Sequence, residues 1–139
     1  DSRSLEELEG RDLLPFQAGI EAGAGAVLVS HNVEDCLDGQ RPASLSPAVY
    51  AYLRNTMGFQ GVAVTDDLYM AAARDSAGSE GAAAVQALQA GADLLCCTDF
   101  AQVFQALLAA EESGALSPER IDEAAERVLC WKLELGLLA

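Results

Sequence analysis

Three short apolar runs set the pattern of this chain: Ala26-Val-Leu-Val29, Gly61-Val-Ala-Val64 and Asp93-Leu-Leu-Cys-Cys97. A glycine-containing turn precedes each one and a polar cluster follows it, so each reads as a buried strand. Their starts lie about 35 and 32 residues apart, close to the roughly 31 residues per strand-helix unit of an eight-unit barrel of about 250 residues. The turns agree. Ala22-Gly-Ala-Gly25, Gly58-Phe-Gln-Gly61 and Ala90-Gly-Ala-Asp93 each stop a helix at glycine and begin a strand.

Helical periodicity fills the gaps. Ser4 to about Ala22 carries Leu5, Leu8, Phe16 and Ile20 on one face, opens on a Ser4/Glu7 capping-box pattern and should kink at Pro15. Ser46-Pro47 starts a second helix with Val49, Leu53 and Met57 as its stripe and Gly58 as its stop. A third is predicted from about Gly81 to Ala90 and a fourth from near Asp99 to Gly114. A fifth runs from Ser117-Pro118 to Gly136, with Ile121, Ala125, Val128, Leu129 and Leu135 as its apolar positions. The predicted order is α-βα-βα-βαα.

Strands that alternate with helices and form no hairpins imply an α/β fold with a parallel sheet and right-handed crossovers. A small doubly wound sheet and a segment of a (β/α)8 TIM barrel both fit. The regular repeat, and an opening helix with no strand before it, favour the C-terminal portion of a barrel. Three strands cannot close, so self-association or pairing with a missing barrel half is expected. The chain starts at Asp1 without Met or a signal segment, and reads as a piece of a longer product.

Composition narrows the function. A length of 139 residues fits one domain; 51% hydrophobic and 22% charged residues make it globular, and no apolar run approaches the roughly 20 residues that cross a bilayer. A net charge of −14 with no basic cluster argues against nucleic acid. Cys36, Cys96, Cys97 and Cys130 lack zinc spacing, so no metal or other cofactor is expected; unpaired thiols favour a reducing compartment such as the cytoplasm slightly, and leave localisation open.

In parallel α/β folds the reacting groups lie beyond the carboxyl ends of the strands, which here carry Ser30-His-Asn32, Thr65-Asp-Asp67 and Thr98-Asp99. Thr98-Asp99 reads as a helix cap. His31 and Asn32 open a connection, residues 32 to 45, longer than the usual two to six, and a pocket role competes with a structural one. Asp66 and Asp67 are adjacent, so at most one faces a pocket; helix capping is the alternative use for both. No phosphate loop, Rossmann fingerprint or nucleophile elbow occurs.

Taken together, Leu5-Glu-Glu-Leu-Glu-Gly-Arg-Asp-Leu-Leu-Pro-Phe16, Val27-Leu-Val-Ser-His31, Pro42-Ala-Ser-Leu-Ser-Pro47, Gly58-Phe-Gln-Gly-Val-Ala-Val-Thr-Asp-Asp-Leu-Tyr-Met70, Ala90-Gly-Ala-Asp-Leu-Leu95 and Ser117-Pro-Glu-Arg-Ile121 closely resemble glycoside hydrolase family 3. The likeness is to its β-N-acetylhexosaminidase branch: Thr65-Asp-Asp-Leu68 resembles that branch's form of the motif, whereas the family's β-glucosidases usually place a tryptophan directly after the Asp. It implies that residues 1–139 are part of a catalytic barrel, from its fifth helix onward, which removes β-linked N-acetylglucosamine from cell-wall muropeptides or chitin-derived sugars. Retention would proceed through a covalent intermediate on Asp66, with His31 and Met70 lining the sugar site and Asp67 supporting the backbone.

One part of the family pattern is not found. The resemblance implies an acid/base His-Asp dyad on a glycine-rich loop upstream of the first helix, whereas His31 is the chain's one histidine. The chain alone is therefore expected to be inactive. The alternative is a non-catalytic α/β remnant acting as an oligomeric or carbohydrate-binding module.

Overall fold

The computed structural model describes residues 1–138; Ala139, the end of the expected domain, lies outside the described residues. The first two apolar runs form β1 (Ala26–Val29) and β2 (Val62–Thr65), paired in parallel with Ala26 opposite Val62 and Val29 opposite Thr65. The third run lies alongside β2, but the expected strand over 93–97 is replaced by a single parallel bridge, Val64 to Leu94. There the Thr65 N–H donates to the Leu94 carbonyl (3.0 Å) and the Leu94 N–H to the Ala63 carbonyl (3.2 Å).

The ladder lapses one step later for an identifiable reason. Instead of continuing through backbone rungs, the Cys96 N–H donates to the Thr65 hydroxyl (3.1 Å), and the Cys96 carbonyl accepts from Leu68 (3.0 Å). Asp66 and Asp67 are thus left out of the pairing with this segment, as in a bulge, which bends a strand and re-aims its side chains.

The order α-βα-βα-βαα also needs correction in its helices. The opening segment is not one kinked helix but α1 (Leu5–Glu7), a π-helical turn (Leu8–Asp12) and α2 (Leu14–Glu21). Pro15 falls in the first turn of α2, where its missing N–H leaves no bond unmade. The capping box forms as expected, with the Glu7 N–H on Ser4 Oγ (3.2 Å) and the Ser4 N–H on Glu7 Oε2 (2.8 Å). The connection over 32–45 holds α3 (Asp35–Asp38) and a 3-10 turn (Ala43–Leu45), and α4 (Pro47–Ala51) runs on through a π-helical turn (Tyr52–Thr56). An unexpected helix, α5 (Ala71–Ala77), precedes α6 (Glu80–Ala90). Then come α7 (Phe100–Glu112), capped by Asp99, and α8 (Pro118–Glu134), capped by Ser117.

Helices cover one face of the sheet. Val29 and Ala63 pack there against Tyr50, Leu53, Phe59 and the alanines of α6, and a second cluster of Leu88, Ala110, Leu116 and Ala124 ties α6, α7 and α8 together. The small residues permit close helix approach: a Cβ on Gly81 would lie 2.8 Å from that of Ala106. On α8 the buried position is Ala124, with Ile121 packed beside it, whereas Ala125, Leu129 and Leu135 of the expected stripe are exposed. Across the other face runs a row made by Leu28, Val64 and Leu94, whose two leucines are 54% and 40% exposed. Among the described residues no helix is long and apolar enough to cross a membrane.

Candidate active site at the carboxyl ends of the strands

Asp66 is the first residue after β2, and its N–H still donates to the Val29 carbonyl (3.1 Å). Strand alternation puts it on the face of Val64, the open face of the sheet, one step nearer the carboxyl end. Its Oδ1 accepts the Asp67 N–H (2.8 Å). Among the described residues no cationic group lies within 4 Å of this half-buried carboxylate.

Asp67 is turned to other work. Its Oδ1 accepts the Tyr69 N–H (3.0 Å) and its Oδ2 the Thr98 hydroxyl (3.0 Å), so both oxygens hold the loop together. Its carbonyl accepts the Met70 N–H (3.0 Å) and lies 2.9 Å from His31 Nε2. A carbonyl can only accept, so Nε2 carries the proton, and in the neutral ring Nδ1 accepts from the Ser44 hydroxyl at 2.6 Å. His31 is buried and both ring nitrogens are engaged. Ser44 is itself fixed, its N–H donating to the Ser30 carbonyl (3.0 Å) and its carbonyl accepting the Tyr50 hydroxyl (3.0 Å). Burial first, then the negative charge of Asp93, pushes the Tyr50 phenol well above its ordinary range, so it stays a donor.

The three residues singled out in the sequence, Asp66, His31 and Met70, therefore meet at the backbone of one residue, Asp67: Asp66 at its N–H, His31 and the Met70 N–H at its carbonyl. Met70 precedes α5 with its side chain about half exposed. Asp99 caps α7, its carboxylate taking the Gln102 N–H (3.0 Å).

Sequence reasoning missed Glu80. It is 3% exposed, its Oε1 accepting the Thr98 N–H (2.5 Å) and both its oxygens the Asp99 N–H (3.3 and 3.2 Å). Its place in the first turn of a helix is the usual one for a dipole-favoured acid, so nothing local marked it. Beside it, burial and the Glu80 charge push the Cys97 thiol up. Among the described residues no group of three or more His, Cys, Asp or Glu gathers as metal ligands.

Cavities of about 570 and 340 Å³ lie at the amino end of the sheet, against Trp131 and Gly61, and along the outer edge of β1, against Phe16 and Tyr52.

Comparison with known proteins bears on this geometry. The sequence pattern of the Glycosyl hydrolase family 3 N terminal domain matches residues 1–130. A protein named Beta-hexosaminidase from Stenotrophomonas maltophilia is 41% identical over 140 aligned positions, which cover 100% of this chain and 40% of that relative; the chain thus spans about two fifths of its length. Among solved structures, a glycoside hydrolase family 3 beta-N-acetylglucosaminidase from Paenibacillus superposes with a TM-score of 0.89 at 39% identity, over 96% of this chain and 26% of the other. A family 3 glycosyl hydrolase from Mycobacterium smegmatis does so with 0.79 at 37%, over 89% and 40%.

Proposed function

Because the chain belongs to glycosyl hydrolase family 3, we propose that it supplies the nucleophile of a retaining β-N-acetylhexosaminidase, and that the nucleophile is Asp66. One observation carries the reading: Asp66 stands at the carboxyl end of a parallel strand, on the open face of the sheet, with no cationic group within 4 Å among the described residues. Among the described residues it is held through Oδ1 by the Asp67 N–H alone, which leaves Oδ2 to attack an anomeric carbon.

In the first step Asp66 Oδ2 forms a bond to that carbon as the bond to the leaving oxygen breaks, and a general acid protonates that oxygen. Water, deprotonated by the same group, then displaces Asp66 and restores the configuration. The proton donor comes from outside these residues, since His31 is committed at both nitrogens, and the chain alone turns over no substrate. His31 and Met70 border the sugar site, His31 by fixing the Asp67 carbonyl and Met70 by its exposed side chain. The open row of Leu28, Val64 and Leu94 packs against the remaining strands of a closed barrel, or against a second copy.

The test is covalent. A 5-fluoro N-acetylglucosaminide with an activated leaving group needs little protonation, so it should leave one glycosyl unit on the peptide containing Asp66 in the full protein. A label on another residue would remove the assignment, and an unlabelled protein would favour a non-catalytic module.

A further inference from the structure

A strand end is normally held by its ladder, yet Asp66 and Asp67 sit where the ladder to the third segment lapses. Their backbone on that side depends on side chains instead. The Asp67 N–H is spent on Asp66 itself, and the Asp67 carboxylate reaches across to the Thr98 hydroxyl. Thr98 is exposed, so its hydroxyl could bond water at little cost, and burial does not explain why it faces Asp67.

What places Thr98 is Glu80. A buried carboxylate with no counter-ion within 4 Å among the described residues is expensive, and here it is spent wholly on two consecutive backbone N–H groups, those of Thr98 and Asp99. We propose that Glu80 and Thr98 are positioning residues for Asp66: Glu80 fixes the backbone of Thr98, Thr98 fixes the carboxylate of Asp67, and Asp67 presents its N–H to Asp66 Oδ1. This rests on Asp66 being the nucleophile. The set replaces the missing rungs and orients the free oxygen of Asp66 toward the open face, where a small misplacement of a reacting atom is costly.

The test uses Thr98→Val in the full protein, which removes the hydroxyl and keeps the shape. kcat and the rate of glycosyl labelling of Asp66 should both fall by roughly ten- to a hundredfold with KM and thermal stability little changed. Thr98→Ser, which restores the hydroxyl, should recover most of both rates. Glu80→Gln retains Oε1 as an acceptor and should lose less than Glu80→Ala; if Glu80→Ala does not fold, the Thr98 pair still decides. Thr98→Val with kcat and labelling within about twofold of the unaltered protein overturns the proposal. A label that lands elsewhere in the unaltered protein overturns the nucleophile assignment and the proposal with it.

Discussion

Asp66 and Asp93 stand at opposite ends of one short sheet, and their neighbours treat them in opposite ways. At the amino end the Asp93 side chain is fully buried and meets three guanidinium groups, those of Arg54, Arg120 (3.0 Å) and Arg127 (3.1 Å), and the Ala63 N–H (3.0 Å). Two of these arginines also take backbone carbonyls around it, Arg54 those of Phe59 (3.0 Å) and Gly61 (2.6 Å), Arg120 that of Leu88 in α6 (2.9 Å). Burial lowers the Arg54 guanidinium from its ordinary range and the Asp93 charge opposes that shift. At the carboxyl end, among the described residues, Asp66 has one N–H donor and no cation within 4 Å. A carboxylate whose oxygens are saturated by cations fastens three elements together; one left undersaturated at a strand end is available for chemistry.

The sharpest way to break this comparison is to delete each carboxylate. Asp93→Ala leaves three guanidinium groups without their shared partner and should cost about 3–5 kcal/mol of unfolding free energy in denaturant titration. Asp66→Ala should leave stability nearly unchanged and lower hydrolysis by the full protein on the order of a thousandfold or more. If Asp66→Ala unfolds the protein, or Asp93→Ala spares stability and abolishes turnover, the two ends have been assigned the wrong way round.

How far the sequence discloses this contrast follows from how far each interaction reaches. Helix caps are local, so Ser4, Ser46, Asp99 and Ser117 could be read from residues three positions apart, and all four form the bonds expected. β1 and β2 are short apolar runs between turns, and they too were legible. α5 was not, because Ala71–Ala77 is rich in alanine and shows no stripe of larger apolar residues. The third strand misled because its composition is that of a strand while its pairing depends on a bulge in another segment. Asp93 meets its arginines across 27 to 39 residues, and Glu80 meets Thr98 across 18, separations at which no pattern along the chain signals contact. The strand pattern put His31 and Asp66 at carboxyl ends and family resemblance added Met70, but their meeting at the Asp67 backbone spans up to 36 residues and had no signal along the chain; their roles in chemistry are decided by the labelling and kinetic tests.

A smaller effect sharpens the amino end. A Cβ on Gly61 would fall 2.5 Å from the Gly25 carbonyl and 2.7 Å from the Phe59 ring, and that carbonyl accepts the Val62 N–H (2.9 Å) that begins the ladder. Backbone cannot yield as a side-chain tip can, so Gly61→Ala should cost about 1–3 kcal/mol. Turnover per folded molecule should not change, because the strain lies at the end of β2 away from Asp66. A fall in kcat without a fall in stability would mean that the two ends are coupled.

The smallest effect concerns acid. The Ser46 hydroxyl donates to Asp38 Oδ2 (2.8 Å) and holds that carboxyl below its ordinary range against the opposing effect of burial, with the Gln40 N–H and Arg41 assisting. A carboxyl lowered in the folded state stabilises above the unfolded pKa of about 3.9 and loses that contribution as pH falls through the folded value. Asp38 and Ser46 bracket the segment carrying Ser44, the partner of His31, so acid should loosen this clamp at the carboxyl end. Glu123 is likewise held down by Arg127 at the amino end, so acid alone acts on both. Ser46→Ala separates them: it removes the hydroxyl from Asp38 and the cap from Val49, and should cost about 1 kcal/mol at neutral pH. Below about pH 4 that deficit should shrink, since the carboxylate it served is being protonated in both proteins. Amide exchange should quicken across residues 39–46 in the variant and stay unchanged along α8. Faster exchange in α8 would show that the two ends do not respond independently.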